Sequence, residues 1–223
     1  MGQFIVIEGG DGSGKGTQAE ILKSYVSDTL SRPVLKLSFP RYGQASAYYA
    51  GNYLDGAYGE ADDVPADLAS LTYALDRFAA KMDIEACLEQ EDGFVIADRY
   101  VASNLAHQGT KFKDADQRHA FYDRMMNTEY EIFGIPRPDK QIVLIMPTNL
   151  AQLNVDKKDA RSYTTKKRDI HEADASHLDR AKANYEELCN LYPDDFVAIQ
   201  CVDASGAMRT IEDIHQEIRR LII

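Results

Sequence analysis

Residues 8–18 read EGGDGSGKGTQ, and they constrain this chain more than any other stretch. Gly9, Gly14 and Lys15 satisfy the spacing G-x-x-x-x-G-K, directly after the apolar run FIVIE at 4–8 and directly before a helical pattern of Ala19, Leu22, Val26 and Leu30. That strand-loop-helix context separates a phosphate cradle from a tight glycine turn that happens to precede a lysine. Glycines let the backbone curl round an anion with N–H groups inward, the helix start adds its dipole, and Lys15 adds a full charge. The expected occupant of a loop made of Gly9, Asp11, Gly12, Ser13, Gly14, Lys15, Gly16 and Thr17 is a triphosphate. Such loops commonly follow the lysine with a Ser or Thr that ligates magnesium. Here Gly16 stands there and Thr17 comes next, so direct magnesium ligation by the loop is not expected. No G-x-G-x-x-G register exists in the loop, which sets a dinucleotide fingerprint aside.

The loop belongs to a repeating pattern. Five short apolar runs, at 4–8, 34–39, 94–97, 141–146 and 196–201, read as buried strands rich in Val and Ile, with helical patterns between them. Strands alternating with helices predict an α/β fold with a five-stranded parallel sheet flanked by helices. At 223 residues the chain fits one domain, 1–223, better than two.

Composition then narrows the partners. A net charge of -11 disfavours non-specific binding to nucleic acid or anionic membrane, because such binding neutralises phosphates with Lys and Arg. Any polyanion site is expected to be a local basic pocket. No run approaches the roughly 18 apolar residues of a membrane span, and Glu8 follows Met1 closely with no basic flank, unlike a secretory signal. Cys87, Cys189 and Cys201 lack metal-ligand spacing. A cytoplasmic protein with reduced, buried thiols is the expectation.

Two other places carry chemistry. On a helix predicted over 66 to about 91, Leu68, Leu71, Leu75, Phe78, Met82 and Ala86 form the apolar stripe, and Tyr73 and Arg77 lie roughly opposite it. That pair fits either a solvated surface or a cleft. After the third strand comes Asp98-Arg99, at the carboxyl edge where open parallel sheets bind ligands. Asp98 there could organise magnesium and Arg99 could grip phosphate, or the two could form an ordinary salt bridge.

Taken in order, EGGDGSGKGTQ, FPRYG, LTYALDR, DRYVASNLAHQG, PRPDKQIVLIM and VDASGAMRTIEDIHQEI resemble the thymidylate kinases along nearly the whole chain, and GSGKGTQ also resembles the loop of adenylate kinases. The resemblance implies a P-loop NTPase fold with a small mobile lid, inserted here at about 154–172, and a cytoplasmic homodimer. It implies Mg²⁺ and ATP as phosphoryl donor, dTMP as acceptor, and no nucleic-acid or membrane partner. It assigns Asp11 to the acceptor's 3'-hydroxyl, Arg41 and Arg99 to its phosphate, Tyr73 to stacking on thymine, Arg77 to base or phosphate, and Asn104 and Gln108 to the thymine edge. His107 stands where the family usually has Tyr or Phe against the sugar. The catalytic group implied is Lys15, Asp98, Arg99, Arg161 and Arg168, with Asp98 the metal residue. The last two arginines fall in DKKDARSYTTKKR at 156–168, which holds six of the chain's 25 basic residues and occupies the lid position. The alternatives are a broader nucleoside monophosphate kinase, or a nucleotide-binding regulator without turnover.

Overall fold

The computed structural model describes residues 2–156 and 175–222. The chain runs β1 (Gln3–Gly9), α1 (Lys15–Ser24), β2 (Val34–Ser38), α2 (Tyr48–Leu54), α3 (Ala66–Ala79), α4 (Lys81–Leu88) and β3 (Phe94–Asp98). It continues through α5 (Val101–Gly109), α6 (Ala115–Met126), β4 (Lys140–Ile145), α7 (Thr148–Asp156), α8 (Ala175–Leu191), β5 (Phe196–Gln200) and α9 (Ile211–Ile222). The strands form one parallel sheet in the order β2-β3-β1-β4-β5. Each expected strand is present within one residue of its expected ends.

Side chains alternate across a pleated strand, so a strand buried on both faces must be apolar at every position. Phe4, Val6, Val95, Ala97, Val143 and Ile145 pack on one side with α5, α6 and α8. Ile5, Ile7, Phe94, Ile96, Ile142 and Leu144 pack on the other with α1 and α9. Burying each of the larger of these side chains contributes roughly 1.5–3 kcal/mol. A third, smaller cluster of Tyr53, Leu54, Val64 and Ala69, with Tyr42 and Tyr73 against it, underlies the ligand cleft described below.

The predicted single helix over 66 to about 91 is instead two helices, α3 and α4, which part at Ala80 (φ -90°, ψ -7°). Its apolar stripe is also inverted. Leu68, Leu75, Phe78 and Met82 are exposed, at 56%, 44%, 48% and 78%, whereas Ser70, Asp76 and Arg77 are buried. The two faces were correctly told apart, but the one that turns inward carries small residues, Ala69 and Ala74, beside the polar Ser70, Asp76 and Arg77.

Topology places that site. β1 lies between β3 and β4, with Ile7 in register with Asp98, so the glycine loop leaving β1 and the Asp98-Arg99 corner leaving β3 emerge side by side. The chain departs in different directions on the two sides of β1, and this is where open α/β sheets bind ligands.

Candidate active site

The loop from Gly9 to Gly14 needs its glycines for two distinct reasons. Gly9, Gly12 and Gly14 all have positive φ (139°, 80° and 90°), a region costly for residues with a Cβ. At Gly12 there is also no room: a Cβ would lie 2.0 Å from the Ala151 carbonyl of α7. Asn154 Nδ2, from the same helix, donates to the Gly12 carbonyl at 2.9 Å. Ser13 Oγ is buried and, among the described residues, has no hydrogen-bond partner, as suits a loop whose ligand is a row of acceptor oxygens.

Lys15 opens α1 and is 9% exposed. Its Nζ donates to the Gly10 carbonyl and to Asp11 Oδ1, both at 3.3 Å. Burial, and then Arg99 nearby, lower its pKa, while Asp11 and Asp98 oppose that shift. Arg99 adopts φ +70°, a conformation a non-glycine residue keeps only when its surroundings enforce it. Three contacts do so. Its backbone N–H donates to the Ile7 carbonyl, Nη1 donates to Ser103 Oγ at 3.2 Å, and Nη2 donates to Asp11 Oδ1. Burial works against the Arg99 charge, but Asp11, with Tyr185, Asp98 and Glu8, raises its pKa well above the ordinary value. Two cations and two carboxylates thus share the mouth of one loop.

Asp98 completes this group. Its Oδ1 is buried and has no hydrogen-bond partner among the described residues. Its Oδ2 lies 3.0 Å from where a Cβ on Gly16 would sit, so the small residue after Lys15 makes room for the acid. An unpartnered carboxylate oxygen beside a phosphate loop suits a hard cation with oxygen ligands. No group of three His, Cys, Asp or Glu able to hold a metal ion exists among the described residues, so phosphates and water would have to supply the remaining ligands.

Beside the loop opens a cleft lined by Asp11, Tyr42, Tyr73, Arg77, Arg99, Asn104, His107 and Gln108 among others. With its solvent-open mouth it measures about 680 Å³. Asn104, His107 and Gln108 come from one face of α5 at helical spacing. Asn104 Nδ2 donates to the Ser70 carbonyl at 3.0 Å, and its Oδ1, buried, has no partner among the described residues. Gln108 Oε1 accepts from Tyr53 Oη at 3.3 Å. Asp11 and His107 also line a second, smaller cavity beside α7 and α8 and so stand in the wall between the two.

Of the residues expected at this site, Asp11, Tyr73, Arg77, Arg99, Asn104, His107 and Gln108 gather in the cleft. Arg41 is not among its lining residues. Its N–H and Nε donate to Asp76 at 2.6 and 3.0 Å, fastening the segment after β2 to α3. Thr17 is exposed on α1. Arg161 and Arg168, with most of the expected lid at 154–172, lie outside the described residues.

Other residues supporting the site went unread in the sequence. Glu8 is fully buried at the end of β1 and accepts from Tyr100 N–H at 2.7 Å, Ser103 Oγ at 2.6 Å and Tyr185 Oη at 3.1 Å. A carboxylate inside an apolar strand must have such partners, so FIVIE held the signal. Glu129 lies on the π-helical turn Asn127–Ile132 and binds Arg77 twice, Oε2 to Nε at 2.5 Å and Oε1 to Nη2 at 2.7 Å. No local pattern marks it, because its partner is 52 residues away.

A thymidylate kinase family model matches residues 7–218. Thymidylate kinase of Mycobacterium tuberculosis is 36% identical over 188 residues, which cover 83% of this chain and 85% of that protein. A probable thymidylate kinase of Pyrococcus horikoshii is 26% identical, covering 99% of this chain and 96% of its own length. In structure, thymidylate kinase from Candida albicans, described as broad in substrate specificity, matches with a TM-score of 0.74 at 22% identity, over 99% of this chain and 91% of that one. These fold-level likenesses agree with a P-loop NTPase architecture.

Proposed function

The chain belongs to the thymidylate kinase family, and from that premise we propose how its residues divide the work. The enzyme transfers the γ-phosphoryl group of ATP to dTMP, giving dTDP and ADP. In our reading the glycine loop holds the ATP phosphates and the cleft holds dTMP. Asp11 and Arg99 face the sugar phosphate, while Tyr73, Asn104 and Gln108 face the base. The observation that carries this is the Asp11–Arg99 pair, because both residues line the cleft and Asp11 belongs to the loop itself.

In the reaction the bond between the γ-phosphorus and its bridging oxygen breaks as an acceptor phosphate oxygen bonds to the same phosphorus. A phosphate monoester has its second pKa near ~6, so that oxygen is largely anionic at neutral pH and needs no general base. What the protein must supply is alignment and positive charge. Lys15 and Arg99 bring that charge, and Asp11 keeps both pointed at the loop mouth. We propose Asp98 as the protein group that holds Mg²⁺, with phosphates and water. When bound, that ion would neutralise charge on the phosphates.

The test is ADP release from MgATP across dTMP, dUMP, ribothymidine monophosphate, UMP, dCMP and AMP. Strong preference for dTMP is expected. Equal turnover of AMP or dCMP would remove the base-reading roles of Asn104 and Gln108.

We further propose that the enzyme is a homodimer joined through the outward stripe of α3. Leu68, Leu75, Phe78 and Met82 are all exposed, and Phe133 lies against Phe78 with ring centres 5.5 Å apart. Phe78→Glu is expected to halve the mass measured by analytical ultracentrifugation. An unchanged mass would place the interface elsewhere. A cytoplasmic setting is supported by three free cysteines, and no helix among the described residues is long and apolar enough to cross a membrane. Cell fractionation tests that setting.

A further inference from the structure

We propose that Glu8, which lines neither of the two cavities described above, is a positioning residue that aims Arg99 at the acceptor phosphate by way of the Ser103 hydroxyl. The proposal rests on reading Arg99 as a phosphate contact in the dTMP cleft.

A carboxylate only accepts hydrogen bonds, so one placed inside an apolar strand organises the donors around it. Glu8 is the last residue but one of β1 and is fully buried. Its Oε1 accepts the backbone N–H groups of Tyr100 at 2.7 Å and of Ser103 at 3.2 Å. These are the cap residue and a first-turn residue of α5, a helix whose own cap side chain makes no capping hydrogen bond. Glu8 therefore serves as the missing cap from 92 residues away, with a carboxylate at the favourable end of the helix dipole. The segment it fixes begins one residue after Arg99, whose φ of +70° persists only under such constraint.

The second oxygen reaches the Arg99 side chain. Ser103 Oγ donates to Glu8 Oε2 at 2.6 Å and accepts from Arg99 Nη1 at 3.2 Å. Tyr185 Oη, from α8, donates to the same Oε2 at 3.1 Å and lies 2.9 Å from Ser103 Oγ. With its proton drawn to Glu8, the Ser103 hydroxyl presents a lone pair to the guanidinium. Arg99 is thus held on both arms of its fork, Nη2 on Asp11 and Nη1 on Ser103, where it lines the cleft. Without the Ser103 hydroxyl, Nη1 keeps only the Gly9 carbonyl at 3.4 Å among the described residues, and the guanidinium can pivot about Asp11. A misplacement of about 1 Å at a reacting centre can cost about 10²-fold in rate.

The test is a double-mutant cycle on the full-length enzyme. Ser103→Ala is expected to lower kcat for dTMP phosphorylation about tenfold, the weaker end of what a hydrogen bond to a charged group is worth, with KM for MgATP unchanged. Glu8→Gln replaces one acceptor oxygen with a donor and should lower kcat further, together with the melting temperature. In an Arg99→Met background neither substitution should reduce kcat again, while the loss of melting temperature in Glu8→Gln should persist. A direct contact between Ser103 and dTMP, or a general loosening of the site, would instead cost the same factor in both backgrounds, and that result overturns the proposal. So does a Ser103→Ala enzyme with the kcat of the wild type. If Glu8→Gln fails to fold, Ser103→Ala carries the test alone. An Arg99→Met enzyme as fast as the wild type would remove the reading of Arg99 itself, and the proposal with it.

Discussion

Replacing Lys15 with methionine is expected to lower kcat for dTMP phosphorylation by about 10³-fold or more, with little change in melting temperature. Methionine keeps the length and apolar stem of the side chain and removes only the charge. The site tolerates that loss structurally, because burial and Arg99 already work against the Lys15 charge and Asp11 keeps its contact with Arg99. The transition state does not tolerate it. Charge spreads over the transferred phosphoryl oxygens there, and a cation fixed in a water-poor loop is worth far more than one in solution. Single-turnover kinetics at saturating MgATP and dTMP, with calorimetry as the folding control, give the answer. A decrease of less than tenfold would show that Lys15 is a structural bridge and that the charge comes from elsewhere.

The second large effect concerns stability. Arg77 and Glu129 are 2% and 0% exposed and share two short hydrogen bonds. Burial opposes the charge on Arg77, and Glu129 overrides it to leave the pKa raised. Removing one partner strands the other, which costs about 3–5 kcal/mol at buried pairs. At about 2–4 °C per kcal/mol for a chain of this size, Glu129→Gln should lower the melting temperature by roughly 6–20 °C. The double variant Arg77→Met, Glu129→Met should recover most of that loss, because well-packed apolar pairs replace buried ion pairs at little cost. It should still bind dTMP poorly, since Arg77 lines the cleft. A double variant as unstable as the single one would mean that packing around residue 129, and not the stranded charge, sets the cost.

That pair also shows where sequence reading stops. The sheet was legible because strands buried on both faces must be apolar throughout, which leaves Val- and Ile-rich runs as their signature. The phosphate loop was legible because its chemistry is local, carried by glycines and a lysine within a few residues. Tyr73 and Arg77 were legible as sharing a face, since helical periodicity fixes that. Which face turns inward was not, because periodicity has no sign: Leu68 to Met82 pattern like a core and lie outside. Long-range partners were the least visible. Nothing in the sequence near Arg41, Glu129 or His177 points to Asp76, Arg77 or His107 as their partners.

The two-sided helix α3 limits how this protein can change. Within one turn it presents Arg77 to the cleft and Phe78 to the outside. Substitutions can alter either face alone. A single inserted residue cannot, because it rotates everything beyond it by about 100° and displaces both faces together. Divergence along this segment is therefore confined to exchanging residues at constant length, while insertions and deletions are pushed into the loops that flank it.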